Sequence, residues 1–259
     1  MSTAEKFDLN RFWHLVKNDL LTNYRTILIG GGAALGLLFF INIISILSDG
    51  EVLVPLVFYP LMLFIGGYIV TSLAFQDLHH PQRSYVYLTL PASNLEKFLS
   101  KLVLTTVGYI FGTLVLYFLF SLVMSLLNLL LFSHGYPLFN PFDRIVWITI
   151  GIYTITQSIF MLGAAYFRKN ALIKTIFSLH ALAFAVIVFT GIVFRIVFWD
   201  LFNGFEFNAH DFDFPSNMAE KRLENFFLGF AEVMKFIFFY LLAPFLWLIT
   251  YLRVKETEV

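Results

Sequence analysis

From Leu102 to Phe132 the chain carries not one charged side chain. So long an apolar run has no place in a water-soluble fold, whose helices must turn one face to solvent. It suits a helix in lipid, where about 20 apolar residues cross the hydrocarbon core. It exceeds one perpendicular crossing, so it should tilt, bend or project beyond the lipid. Five more segments are predominantly apolar and long enough to span: Thr26 to Leu47, Leu53 to Phe75 and Ile145 to Phe167, which are uncharged, and Ala171 to Phe198 and Phe227 to Leu252, which carry two charges each. The first of these alone makes roughly 33 Å of helix at 1.5 Å per residue. The second carries Pro55, Pro60, Gly66 and Gly67, which are tolerated where neighbouring helices re-satisfy the freed carbonyls. Pro244 should kink the last span by removing one backbone donor.

The expected fold class is therefore all-α, a polytopic membrane protein with six transmembrane helices over about 26–47, 53–75, 102–132, 145–167, 171–198 and 227–252. Composition agrees: hydrophobic residues are 59% of the 259, against roughly 45–50% in soluble domains. Charged residues are only 13%, about half the usual share, and the mean hydropathy is +0.80. The polar stretch 1–25 has no apolar core ahead of a cleavage site, so the first span is expected to stay as an anchor.

Lysine and arginine orient the spans. Twelve lie in the N-terminus (Lys6, Arg11, Lys17, Arg25), the 76–101 connection (Arg83, Lys97, Lys101), the turn between spans four and five (Arg168, Lys169, Lys174) and the C-terminus (Arg253, Lys255). Four, Arg144, Arg195, Lys221 and Arg222, fall on the opposite side. This asymmetry predicts both termini in the cytoplasm of a cell whose inner membrane holds the protein.

Three stretches do not span. Over residues 1–25, Leu9, Phe12, Trp13, Val16, Leu20 and Tyr24 recur at offsets of three and four, with Arg11, His14, Lys17 and Asn18 between them. That pattern predicts an amphipathic helix along the membrane interface. In the 76–101 connection, Pro91 cannot continue a helix, while Ser93 followed by Glu96 is a capping-box signature. A helix should begin at Ser93 and run into the third span. The 199–226 segment is acidic at its start and interleaved with phenylalanine, which suits packing on the outer helix ends.

Several chemistries find no residues here. Formal net charge is zero, so nothing argues for nucleic acid. With no cysteine there is neither disulfide nor thiolate chemistry. Gly30, Gly31, Gly32 and Gly36 lie within a span with no lysine following, unlike a phosphate-binding loop. Gly32 with Gly36, and Gly108 with Gly112, form GxxxG patterns suited to close helix packing. The adjacent His79 and His80 diverge by about 100° on a helix and cannot chelate together. No metal, cofactor or catalytic group is expected. Ionisable and polar groups within spans remain the functional positions to examine. These are Gln157 beside Ser158, His180, and Lys235, which stands three residues from Glu232 and can pair with it.

The run LTLPASNLEKFLSKLV, residues 88–103, resembles the cytoplasmic elbow of ABC type-2 transporter permeases. In that family an acidic residue after the second span precedes a proline turn, a capped helix, an acidic position and a lysine. Asp77, Pro91, Ser93, Glu96 and Lys101 stand at matching places, with Arg83 and Leu90 in the same stretch. The family's Gly-Thr step is replaced by the neighbourhood of Ser84 and Tyr85. The resemblance implies an export permease subunit working with a second copy or a paralogue. A separate ABC ATPase subunit would hydrolyse ATP, so this chain would not be an enzyme. The elbow from Asp77 to Ser93 would be its coupling helix, and phenylalanine-rich spans would favour an amphipathic or lipid-like cargo. The rival readings are a non-transporting anchor or assembly protein, and a secondary transporter driven by an ion gradient.

Overall fold

The computed structural model describes residues 7–49, 55–79, 92–132, 138–197, 229, 232 and 234–257. Among them every regular element is helical. Six helical stretches are long and apolar enough to span a membrane: Leu9–Ile44, Phe58–Leu78, Asn94–Leu130, Arg144–Tyr166, Ala171–Ile196 and Met234–Thr257. The chain is a multi-pass membrane protein. Residues 80–91 of the elbow, with Arg83, Leu90 and Pro91, and the 199–226 segment lie outside the described residues.

Helix α1, Leu9–Asp49, is one uninterrupted helix of 41 residues. The stretch expected to be amphipathic runs on past residue 26 into the apolar one without a helix end, because nothing at that point stops helix propagation. No proline or cap intervenes, and helical amides satisfy one another across the change from polar to apolar surroundings. Helix α2 covers 55–72 and comprises Pro55–Leu61, a π turn Met62–Gly66 and Gly67–Ser72; a turn leads to the short α3, Gln76–His79. Helix α4 covers 94–132, again with a π turn, Leu104–Gly108. Helix α5, Arg144–Tyr166, starts where the Asp143 carboxylate accepts the Ile145 N–H at 2.8 Å. After a short turn ending on Asn170, whose φ of 53° is a left-handed conformation that asparagine adopts readily, α6 runs over Ala171–Val197. Helix α7 is Met234–Thr257. Its π turn, Ile237–Leu241, lies just before Pro244, so the missing proline donor is absorbed as a local change of pitch.

The chain divides into two compact units, residues 1–172 with 243–259, and residues 173–242. In the first unit one core gathers Phe75, Leu78, Phe98, Met161, Ala164, Ala165 and Val254. The other collects Tyr59, Leu63, Tyr117, Phe139, Val146, Ile150 and Tyr153. Phe139 lies 4.9 Å, ring centre to ring centre, from both Tyr59 and Tyr117, a spacing at which aromatic pairs attract. In the second unit, every residue of α6 from Ile176 to Ile196 but Leu179 is exposed.

Both π turns of the first unit are closed from outside their own helix. The Tyr109 hydroxyl donates to the Met62 carbonyl at 2.8 Å, and the Tyr153 hydroxyl donates to the Thr105 carbonyl at 2.9 Å. A π turn leaves carbonyls without their usual partners, and in lipid such a group costs several kcal/mol. The two tyrosines approach because α2 carries glycine at 66 and 67. A Cβ on Gly66 would collide with the Tyr109 hydroxyl, and one on Gly67 with the Tyr153 ring. The GxxxG glycines do no comparable packing, for a Cβ added at Gly32, Gly36 or Gly112 would meet nothing within 4 Å. Replacing Gly67 with alanine should therefore destabilise the protein by about 1–3 kcal/mol through overpacking. Gly36→Ala, with open space at its Cβ, should cost no stability and add up to about 1 kcal/mol. Thermal unfolding of both variants in detergent checks the pair, and equal midpoints would contradict the packing described.

Candidate functional site

The stretch that most resembles a functional element begins at Ser93. The Ser93 side chain accepts the Glu96 N–H at 3.3 Å, and Glu96 Oε2 accepts the Ser93 N–H at 2.9 Å, so both halves of the capping box are formed. Helix α4 starts there and continues without a break into the span, as the Ser93–Glu96 spacing predicts.

Glu96 is fully buried. Its Oε1 accepts the Asp8 backbone N–H at 2.6 Å and the Arg11 guanidinium at 3.1 Å. Farther along α4, Lys101 Nζ meets Asp19 Oδ1 at 2.9 Å. Between these two tethers Val16 is buried, with Phe12 and Leu15 half-buried on the same side of α1. The first turns of α1 and α4 are thereby clasped, with an ion pair at each end and an apolar middle. A buried carboxylate is tolerated only with such partners. The apolar stripe of the α1 sequence is divided by this contact: Val16 faces α4, while Leu9, Trp13, Leu20 and Tyr24 remain exposed.

A second polar group lies deep in the first unit. Gln157, fully buried on α5, donates through Nε2 to the Thr105 hydroxyl at 3.0 Å, and that hydroxyl donates to the Lys101 carbonyl at 2.8 Å. Tyr153, one turn before Gln157, binds the Thr105 carbonyl. Tyr68 donates to Thr156 Oγ1 at 2.8 Å and stacks on Phe160 at 4.0 Å. These bonds join α2, α4 and α5 side by side.

The remaining expected positions are scattered. Asp77 is half-buried in α3. His180 is exposed on α6, and its Nδ1 lies 2.8 Å from the Ile176 carbonyl, so its bond stays within its own helix rather than reaching another. Lys235 is exposed, and among the described residues no ion pair joins it to Glu232. The structure thus brings Ser93, Glu96 and Lys101 into one clasp and sets Gln157 in a separate polar core. It leaves His180 and Lys235 apart from both. Sequence reasoning missed Asp8, Arg11 and Asp19 as the partners of Glu96 and Lys101. Their signal was present as charges at helical spacing on the side of α1 that also carries Val16, but pairing between positions so distant in the chain has no local signature.

A double-mutant cycle over Arg11→Gln and Glu96→Gln should give a coupling energy between about 0.5 and 3 kcal/mol. The same cycle at the exposed Arg253–Glu256 pair should give less. Chemical unfolding in mild detergent measures both, and additive effects at positions 11 and 96 would dissolve the clasp. No family model, no curated protein and no solved structure matches this chain.

Proposed function

We propose that this chain is the membrane-spanning permease subunit of an ABC-type exporter, set in the cell membrane with both termini cytoplasmic. It pairs with a second copy or a related subunit. ATP is hydrolysed by a separate ABC ATPase, whose groove receives the elbow between Asp77 and Ser93. The cargo is amphipathic or lipid-like and leaves the cytoplasm. The observation that carries this reading is the clasp at Glu96. A coupling element has to hand a rigid-body displacement to a span. Here the helix that leaves the elbow is capped at its first turn, braced against α1 by two ion pairs, and continuous with a span. The resemblance of residues 88–103 to the family's elbow, the six spans and the asymmetry of basic residues support it further.

Two experiments test the proposal. Because the chain has no cysteine, single cysteines can be introduced without a background. Ser84→Cys should react with a membrane-impermeant maleimide only from the cytoplasmic side, and Ser216→Cys only from outside. Labelling of Ser84→Cys from outside would make an elbow–ATPase contact impossible. When the chain is purified under mild conditions, a soluble ATPase should accompany it, and Pro91→Ala or Glu96→Gln should uncouple hydrolysis from transport while insertion persists. Normal ATP-driven export by both variants would reject the elbow's role. Absence of any ATPase would favour a gradient-driven carrier or a non-transporting subunit.

A further inference from the structure

We infer that the cleft between the C-terminal turns of α5 and α7 binds a glycerophospholipid with a primary-ammonium headgroup, of the phosphatidylethanolamine type. Such a site would serve the chain whether or not it transports anything. The cleft measures about 390 Å³ and is lined by Leu162, Tyr166, Ile249, Leu252, Arg253 and Glu256. Its walls change character along α7: Ile249 and Leu252, with Leu162 of α5, are apolar, and the charged pair follows within the next turn. A lipid presents the same succession, acyl chain and then headgroup.

The charged end carries both signs. Arg253 lies 4.9 Å from the centre of the Tyr166 ring and 3.1 Å from Glu256 Oε2, within cation–π and hydrogen-bonding range respectively. Its Nε–H is buried and has no acceptor among the described residues. The side chain as a whole is 38% exposed, and a guanidinium has five N–H donors, so those not given to Glu256 suit a phosphate oxygen. Glu256 is largely exposed, and a carboxylate accepts at two oxygens, so Oε1 is open to an ammonium N–H. A phosphate and a primary ammonium, joined by a short linker, satisfy both groups at once. A choline headgroup has no N–H to donate, an anionic headgroup meets Glu256 with like charge, and inorganic phosphate leaves the apolar wall uncovered.

The purified full chain in detergent, titrated with dioleoyl phosphatidylethanolamine, phosphatidylcholine or phosphatidylglycerol, gives the test by native mass spectrometry. One phosphatidylethanolamine per chain should be retained about fivefold more than phosphatidylcholine, the worth of one charged hydrogen bond at a wet interface. Glu256→Gln should erase that preference and keep lipid binding, Arg253→Gln should weaken all three lipids, and Lys255→Gln should change nothing. Equal retention of phosphatidylethanolamine and phosphatidylcholine by the unaltered chain would overturn the inference without recourse to any variant. So would stronger retention of phosphatidylglycerol, displacement by millimolar inorganic phosphate, or an effect of Lys255→Gln matching that of Arg253→Gln.

Discussion

A peptide carbonyl that loses its helical partner in hydrocarbon has no water to turn to, and the arrangement of the first unit follows from that constraint. Helices α2 and α4 each contain a π turn, and one carbonyl of each turn takes a tyrosine hydroxyl from another helix as donor. Tyr109 on α4 answers Met62 on α2, and Tyr153 on α5 answers Thr105 on α4. The bonds run in series, so three helices are held in register by two phenols. Gly66 and Gly67 permit the approach, since any side chain there would occupy the space of the phenols.

The same logic governs the charged end of the unit. Glu96 lies wholly out of solvent, and a lone buried carboxylate would be too costly to keep. Three donors surround it: the Asp8 amide, the Ser93 amide and the Arg11 guanidinium. Burying the charge therefore ties a segment near the N-terminus to the helix leaving the elbow. Lys101 and Asp19 repeat the tie farther along. Neither α4 nor α1 can shift at this point without parting Glu96 from its donors and leaving a buried carboxylate unpaired.

Helix α6 differs from both. Its exposed face is apolar almost throughout, and its one central ionisable residue, His180, turns back to its own helix. In water such a surface would aggregate; in lipid it is an ordinary outer face. Within the spans, polar bonds that cross between helices are those of Gln157 with Thr105 and of Tyr68, Tyr109 and Tyr153.

Fold class and the number of spans were legible in the sequence, since a predominantly apolar run as long as the bilayer is thick has one structural outcome. The start of α4 was legible too, because a capping box is a local device: Ser93 and Glu96 satisfy each other's amides within a single turn. The extent of α1 was not, for amphipathic periodicity says which faces differ and nothing about where a helix stops. Nor were the partners of Glu96 and Lys101, the tyrosine bonds to Met62 and Thr105, or the choice of Gly66 and Gly67 over the GxxxG glycines. Each of those depends on which helices become neighbours. Hydropathy assigns segments to lipid one at a time, whereas only the assembled helices decide whose hydroxyl lies within about 3 Å of a carbonyl on another helix.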